Sequence, residues 1–233
     1  MALRCPIESI NKMDWQALIL SLQLAFVTLL VLLPFGLWLG RWLAHTQVRY
    51  KAWIEGLVVL PLVLPPTVLG YYLLVSMGGG SPFGQWFSNT FGFQLTFNFL
   101  GLVIASVIFN IPFLVQPIQR AFESIPRDLG EAAAVSGLSK WQSFWRIEVL
   151  LAWPGILSGM VLTFVHTMGE FGVVLMVGGS IPGETKTVAI SIYDRVQSFD
   201  LDGANQMAMM LLILSLTAVV ASFFASARLA VKR

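Results

Sequence analysis

His166 and Glu170 are ionisable residues inside the long apolar stretch 150–177. They lie four apart, so on a helix they share a face with Thr163 and Thr167. An ionisable side chain at membrane depth is costly and marks a functional candidate. Three chemistries are open to this pair. The two can neutralise each other, or Glu170 can hold a chain break between Gly169 and Gly172. They can also form a gate in a permeation path. A metal site is the weakest option, because two ligands without a third make a poor cage. The single cysteine, Cys5, adds no ligand cluster and no internal disulfide. With no apolar signal stretch before it, Cys5 reads as an incidental thiol.

A second candidate is the run 60–70, Leu-Pro-Leu-Val-Leu-Pro-Pro-Thr-Val-Leu-Gly. Pro61, Pro65 and Pro66 each remove a backbone donor and interrupt a helical ladder. At membrane depth such a break persists only where protein or water covers it. It is either a kink packed on a neighbour or a broken helix lining a path, with Pro65 and Pro66 at its centre.

The third candidate, 130–154, is polar, has no membrane-spanning pattern, and still looks firmly folded. Pro126 and Asp128 can open a helix. Glu131, Ala132, Ala133 and Ala134 propagate it, and Gly137 can end it. Ser139 can cap a second helix carrying Trp141, Phe144, Trp145 and Ile147. The pair suits either docking onto another protein or an amphipathic hairpin on the bilayer surface.

The elements that position these residues are membrane spans. Of 233 residues, 57% are hydrophobic and 11% charged, and mean hydropathy is +0.78. Soluble domains carry about 25% charged residues, so lipid must solvate much of this chain. Net charge is +2 without a dense basic run, too little to suggest a nucleic-acid partner, and none is expected. Runs of about 20 apolar residues place spans at 15–39, 53–77, 97–118, 150–177 and 204–227. Between them lie a charge-free loop at 78–96 with a short helix near 83–87, a polar segment at 119–148, and a loop at 178–202. In that last loop 187–199 reads as a short helix. Asp194, Asp200 and Asp202 read as a solvated face rather than a calcium site. The expectation is one domain over 15–227, all-α, with five transmembrane helices.

Lysine and arginine set the orientation. Ten of the fourteen fall on one side: Arg41, Arg49, Lys51, Arg120, Arg127, Lys140, Arg146, Arg228, Lys232 and Arg233. That places 119–148 and the C-terminus in the cytoplasm, with the N-terminus outside. The chain has no Gly-x-x-x-x-Gly-Lys-Ser/Thr loop, so if ATP drives it, another chain binds the ATP.

Glu131-Ala132-Ala133, Gly137 and Ile147 resemble, in type and spacing, the cytoplasmic coupling loop of ABC-importer permeases. The family expects Leu-Pro where Val149-Leu150 stand, and Pro154 follows one turn later. The run 60–74 looks like the second span of molybdate permeases. Gly169-Glu170-Phe171-Gly172, followed by 181–187, is similar to the region after the loop in molybdate and sulfate permeases. The resemblance implies a binding-protein-dependent, MetI-like type I permease of the bacterial cytoplasmic membrane. It implies a homodimeric pore for molybdate, two cytoplasmic ATPase subunits on the coupling loops, and an extracytoplasmic binding protein. No cofactor is expected in this chain. A carboxylate facing an anion path would repel the cargo, which favours a paired or capping Glu170. Sulfate, thiosulfate or tungstate is the alternative cargo. A self-contained secondary transporter or channel is the alternative class, although no inverted repeat supports it.

Overall fold

The computed structural model describes residues 13–231, with side chains up to residue 225 except those of Arg127, Glu131 and Ala134. The expectation for Cys5 therefore falls outside the described residues, as do Lys232, Arg233 and the side chain of Arg228. All regular structure within them is helical. Helix α1 (Trp15–His45) opens at Asp14, whose carboxylate accepts the Ala17 N–H at 3.0 Å. It absorbs Pro34 and runs six residues past the expected end. At 1.5 Å per residue it is roughly 45 Å long, longer than a hydrocarbon core of roughly 30 Å, so its last turns clear the lipid tails.

The second span is two helices, α2 (Lys51–Val63) and α3 (Pro66–Met77), bent by 105°. A proline pushes the residue before it out of the helical region. The doublet does this twice, with Leu64 at ψ 138° and Pro65 at ψ 134°. Pro61 stays inside α2. The break thus belongs to Pro65-Pro66 alone, a correction to the expectation of three disruptive prolines.

A short helix α4 (Pro82–Phe91) follows, capped by Ser81 and ended by Gly92 at φ 79°. Helix α5 (Phe99–Glu123) is the central element, buried along more of its length than any other span. Two spans clasp it through glycines four apart. Gly36 and Gly40 of α1 meet Leu114 and Ile118, where an added Cβ would come within 2.7 Å of each side chain. Gly155 and Gly159 face α5 from the other side, where a Cβ would lie 2.4 Å from Ala121 Cβ and 3.0 Å from the Leu114 carbonyl. In lipid there is no hydrophobic drive between spans, so such small-residue faces supply association through close backbone approach.

Helices α6 (Arg127–Val135) and α7 (Lys140–Ser143) form an elbow. A π turn, Phe144–Glu148, then joins α7 to α8 (Val149–Gly169) without interruption. The elbow's second helix is therefore the start of the fourth span and not a separate loop helix. Leu150 in place of proline explains it, since nothing there removes a donor or clashes with the preceding turn. The fourth span also ends early. Glu170 is extended (ψ 128°), and the chain restarts as α9 (Gly172–Gly178). Helices α10 (Val188–Gln197) and α11 (Leu201–Val231) complete the chain. Among the described residues four helices are long and apolar enough to span a membrane, with a fifth if the bent α2–α3 pair counts as one span. Only 6% of the most apolar window of α11 is buried, so lipid or another chain must cover it.

Candidate functional site

The two broken spans meet. A Cβ on Gly172 would lie 2.8 Å from Pro66 Cβ, and one on Gly70 would lie 2.9 Å from Met176 Cβ. The first turns of α3 and α9 are thus packed face to face, and Leu69, Val173 and Val177 share a core with Met77, Leu95, Ala105 and Phe109. Pro65 and Pro66 remain exposed on the outer side of this junction.

Glu170 and His166 do not pair. Glu170 is the residue after the last turn of α8, so helical spacing no longer relates it to His166. Its Oε1 accepts the Val173 N–H at 2.8 Å and caps α9, and the residue is 7% exposed. The first N–H groups of a helix have no partner within it, and a carboxylate there also meets the positive end of the dipole. His166 instead faces α5. Its Nδ1 lies 3.2 Å from Asn110 Oδ1, and its ring packs against both Phe113 (centroids 3.8 Å apart) and Phe109 (4.8 Å). Asn110 is fully buried, and its Nδ2 donates to the Ser106 carbonyl at 2.8 Å. Asn110, halfway along α5, was not among the residues singled out by type, because a lone asparagine in an apolar run gives no pattern. Among the described residues no group of three His, Cys, Asp or Glu side chains lies close enough to hold a metal.

The elbow is built by local capping. Gly137 has φ 77°, a left-handed conformation that penalises a side chain. The Leu138 N–H reaches back to the Ala133 carbonyl at 3.1 Å and the Ser136 N–H to Ala132 at 3.0 Å, closing the end of α6. Ser139 and Gln142 then form a reciprocal capping box, with bonds of 3.2 Å and 2.9 Å. Ala133 is buried and Ala132 exposed; Ile147 lies half-buried in the π turn; Glu131 is placed in α6 by its backbone. Trp141 and Trp145 are exposed and pack edge to face, 5.6 Å between centroids.

The end of the bundle that carries the elbow is polar. Gln119 Nε2 donates to Glu55 Oε1 at 2.6 Å and to Glu123 Oε1 at 2.9 Å, and Lys51 lies 3.7 Å from Glu55 and 3.6 Å from Glu123. Arg120 pairs with Glu123 at 2.9 Å. At the opposite end, Ser191 donates to Asp14 at 2.9 Å, and the Val188 N–H to Ser21 Oγ at 2.8 Å, fixing α10 on α1. The acidic residues of that segment are not simply a solvated face. Asp194 pairs with Lys186 at 3.0 Å and Asp200 with Arg195 at 2.7 Å.

The bundle, with its interrupted span, short-helix elbow and polar clamps, is that of a membrane permease of the ABC-importer type. The structure of a bacterial ABC transporter involved in alginate import has the same fold, with a TM-score of 0.74 at 18% identity over 91% of this chain and 78% of that one. The chain belongs to the family described as binding-protein-dependent transport system inner membrane component, which it matches over residues 15–233. Such a chain is the non-catalytic permease subunit of a transporter and a multi-pass inner-membrane protein. That membership sets aside the self-contained transporter. The chain is 46% identical over 199 residues to the molybdenum transport system permease of Azotobacter vinelandii, covering 85% of this chain and 88% of the relative. It is 30% identical over 196 residues to the sulfate transport system permease of Escherichia coli, covering 84% and 70%.

Proposed function

We propose that two copies of this chain form the path by which molybdate crosses the cytoplasmic membrane. An extracytoplasmic binding protein delivers the oxyanion, and two separate ATPase subunits dock on the elbow. The greater likeness to a molybdenum permease than to a sulfate permease, 46% against 30%, carries the choice of cargo. The elbow supports the docking role of Glu131, Ala132, Ala133, Gly137 and Ile147. It is a capped two-helix unit whose second helix continues into a span, so a push on it moves that span. The junction of α3 and α9 supports a path lined near Pro65, Pro66 and His166. Glu170 serves there as the cap of α9 rather than as a ligand for the cargo, since its carboxylate is buried and engaged. Sites 15–227 act as one transmembrane domain.

Uptake of labelled molybdate, tungstate and sulfate in a deletion strain lacking other carriers tests the cargo. Molybdate uptake should depend on this chain, on ATP and on the ATPase subunits that copurify with it. Sulfate uptake restored in preference to molybdate would transfer the assignment to the sulfate class. Absence of an ATPase subunit from the purified complex would remove the docking claim.

A further inference from the structure

The elbow is tied to the bundle by more than its chain. Arg41, near the end of α1, binds Glu148 twice, Nε to Oε2 at 2.6 Å and Nη2 to Oε1 at 2.9 Å, across 107 residues of sequence. The same guanidinium lies 5.3 Å from the centroid of Phe144. Phe144 and Glu148 are the first and last residues of the π turn. Arg41 therefore grips both ends of the turn that joins elbow to span. The Glu148 side chain is only 14% exposed, and Phe144 stacks on the fully buried Phe122 at 6.3 Å. A two-point bond between planar groups fixes direction as well as distance, which a lysine ammonium cannot do. π turns are rare and concentrate at functional positions.

The contacts trace a route from this pair. Helix α6 packs chiefly on α7, and α7 on the π turn. From the turn, one path runs along the chain into α8, and the other crosses at Arg41 into α1. Helix α1 makes its most extensive packing with α5, which holds His166 through Phe109, Asn110 and Phe113. Helix α5 also packs against α9. A displacement of the elbow that reached α8 alone would shear it against α1. Helices α1 and α8 also pack on each other and both on α5, and the Arg41–Glu148 bond adds a directional tie between them at the elbow end.

We propose that Arg41 and Glu148 are a positioning pair that carries elbow displacement into α1 and so to the junction of the broken spans. The pair touches neither cargo nor nucleotide. The inference rests on the reading that ATPase subunits act on the elbow. Partly exposed ion pairs add little to stability, so its effect belongs to coupling more than to folding.

The test uses the permease assembled with its ATPase subunits and binding protein in liposomes. ATP hydrolysis and molybdate uptake are measured on the same vesicles. Wild-type vesicles that show no ATP-dependent uptake overturn the functional reading itself, before any variant is compared. With coupled wild type, Arg41→Ala and Glu148→Gln should assemble and hydrolyse ATP within about twofold, while uptake per ATP falls about tenfold, the usual size of a coupling energy. Arg41→Lys should fall between, and the exchange Arg41→Glu with Glu148→Arg should recover most of the lost uptake per ATP. Wild-type uptake per ATP in both single variants overturns the proposal. So does failure of the exchange to recover more than Arg41→Ala, which would mark packing instead of the pair. Loss of assembled complex in the single variants also overturns it, since the pair would then be a folding element.

Discussion

Glu170 shows how one side chain can support the start of a short element. Helix α9 has only seven residues, below the length at which an isolated helix is stable in water. Its N-terminus is buried at the junction with α3, where unpartnered N–H groups carry a desolvation cost. The Glu170 carboxylate supplies the missing acceptor at 2.8 Å. Glu170→Ala should therefore cost about 1 kcal/mol, the usual worth of an N-cap side chain, or somewhat more given the burial. Glu170→Gln keeps an acceptor oxygen in the same place and should recover most of that loss. Thermal unfolding of the purified protein in detergent separates the two variants. Equal melting temperatures for Glu170→Ala and wild type would show that the cap contributes nothing. The same pair of variants tests the junction's role in the path, because a glutamine preserves geometry while removing charge.

At the scale of elements, the bundle depends on backbone approach more than on large side chains. Gly155→Leu would drive a branched side chain into Ala121 and the Pro117 carbonyl, where even a Cβ sits 2.4 Å and 2.8 Å away. Overpacking of this kind costs about 1–3 kcal/mol in a well-packed core, so Gly155→Leu should lower the melting temperature and the yield of folded protein. Gly130→Leu, on the open surface of α6 where a Cβ meets nothing within 4 Å, is the control that should not lower the melting temperature. Much of this architecture was legible beforehand. Apolar run length located the spans, and Gly137 and Ser139 mark the helix ends of the elbow by type. The clasp of α5 by Gly36, Gly40, Gly155 and Gly159 was also written in the chain as two four-residue glycine spacings. It passed unnoticed because each reads as an ordinary span interior until its partner is known. Two features were not legible. Whether Pro61 or Pro65-Pro66 breaks the second span depends on consecutive restriction of two residues, which a count of prolines does not distinguish. Of the two expectations for Glu170, the pairing with His166 does not form, because helical spacing does not carry across the break after Gly169; the other, holding that break before Gly172, is the one the structure has.

For the molecule as a whole, orientation decides which end meets the cytoplasm. The contacts already sort the chain into two ends. The elbow, Arg41, Lys51, Glu55, Arg120 and Glu123 lie at one end, and Asp14, Ser21, Val188 and Ser191 at the other. The positive-inside rule puts the first end in the cytoplasm, and the docking role proposed for the elbow requires the same. Both fail together if the orientation is reversed. Ser136 follows α6 in the elbow, and Asn89 lies in α4, within the segment that carries no charge; neither is buried. In a Cys5→Ser background, Asn89→Cys should react with a membrane-impermeant maleimide added to intact cells. Ser136→Cys should stay unlabelled until the membrane is permeabilised. Bound ATPase subunits should then shield Ser136→Cys, and their removal should expose it. Labelling of Ser136→Cys in intact cells would reverse the molecule and leave the elbow facing away from ATP.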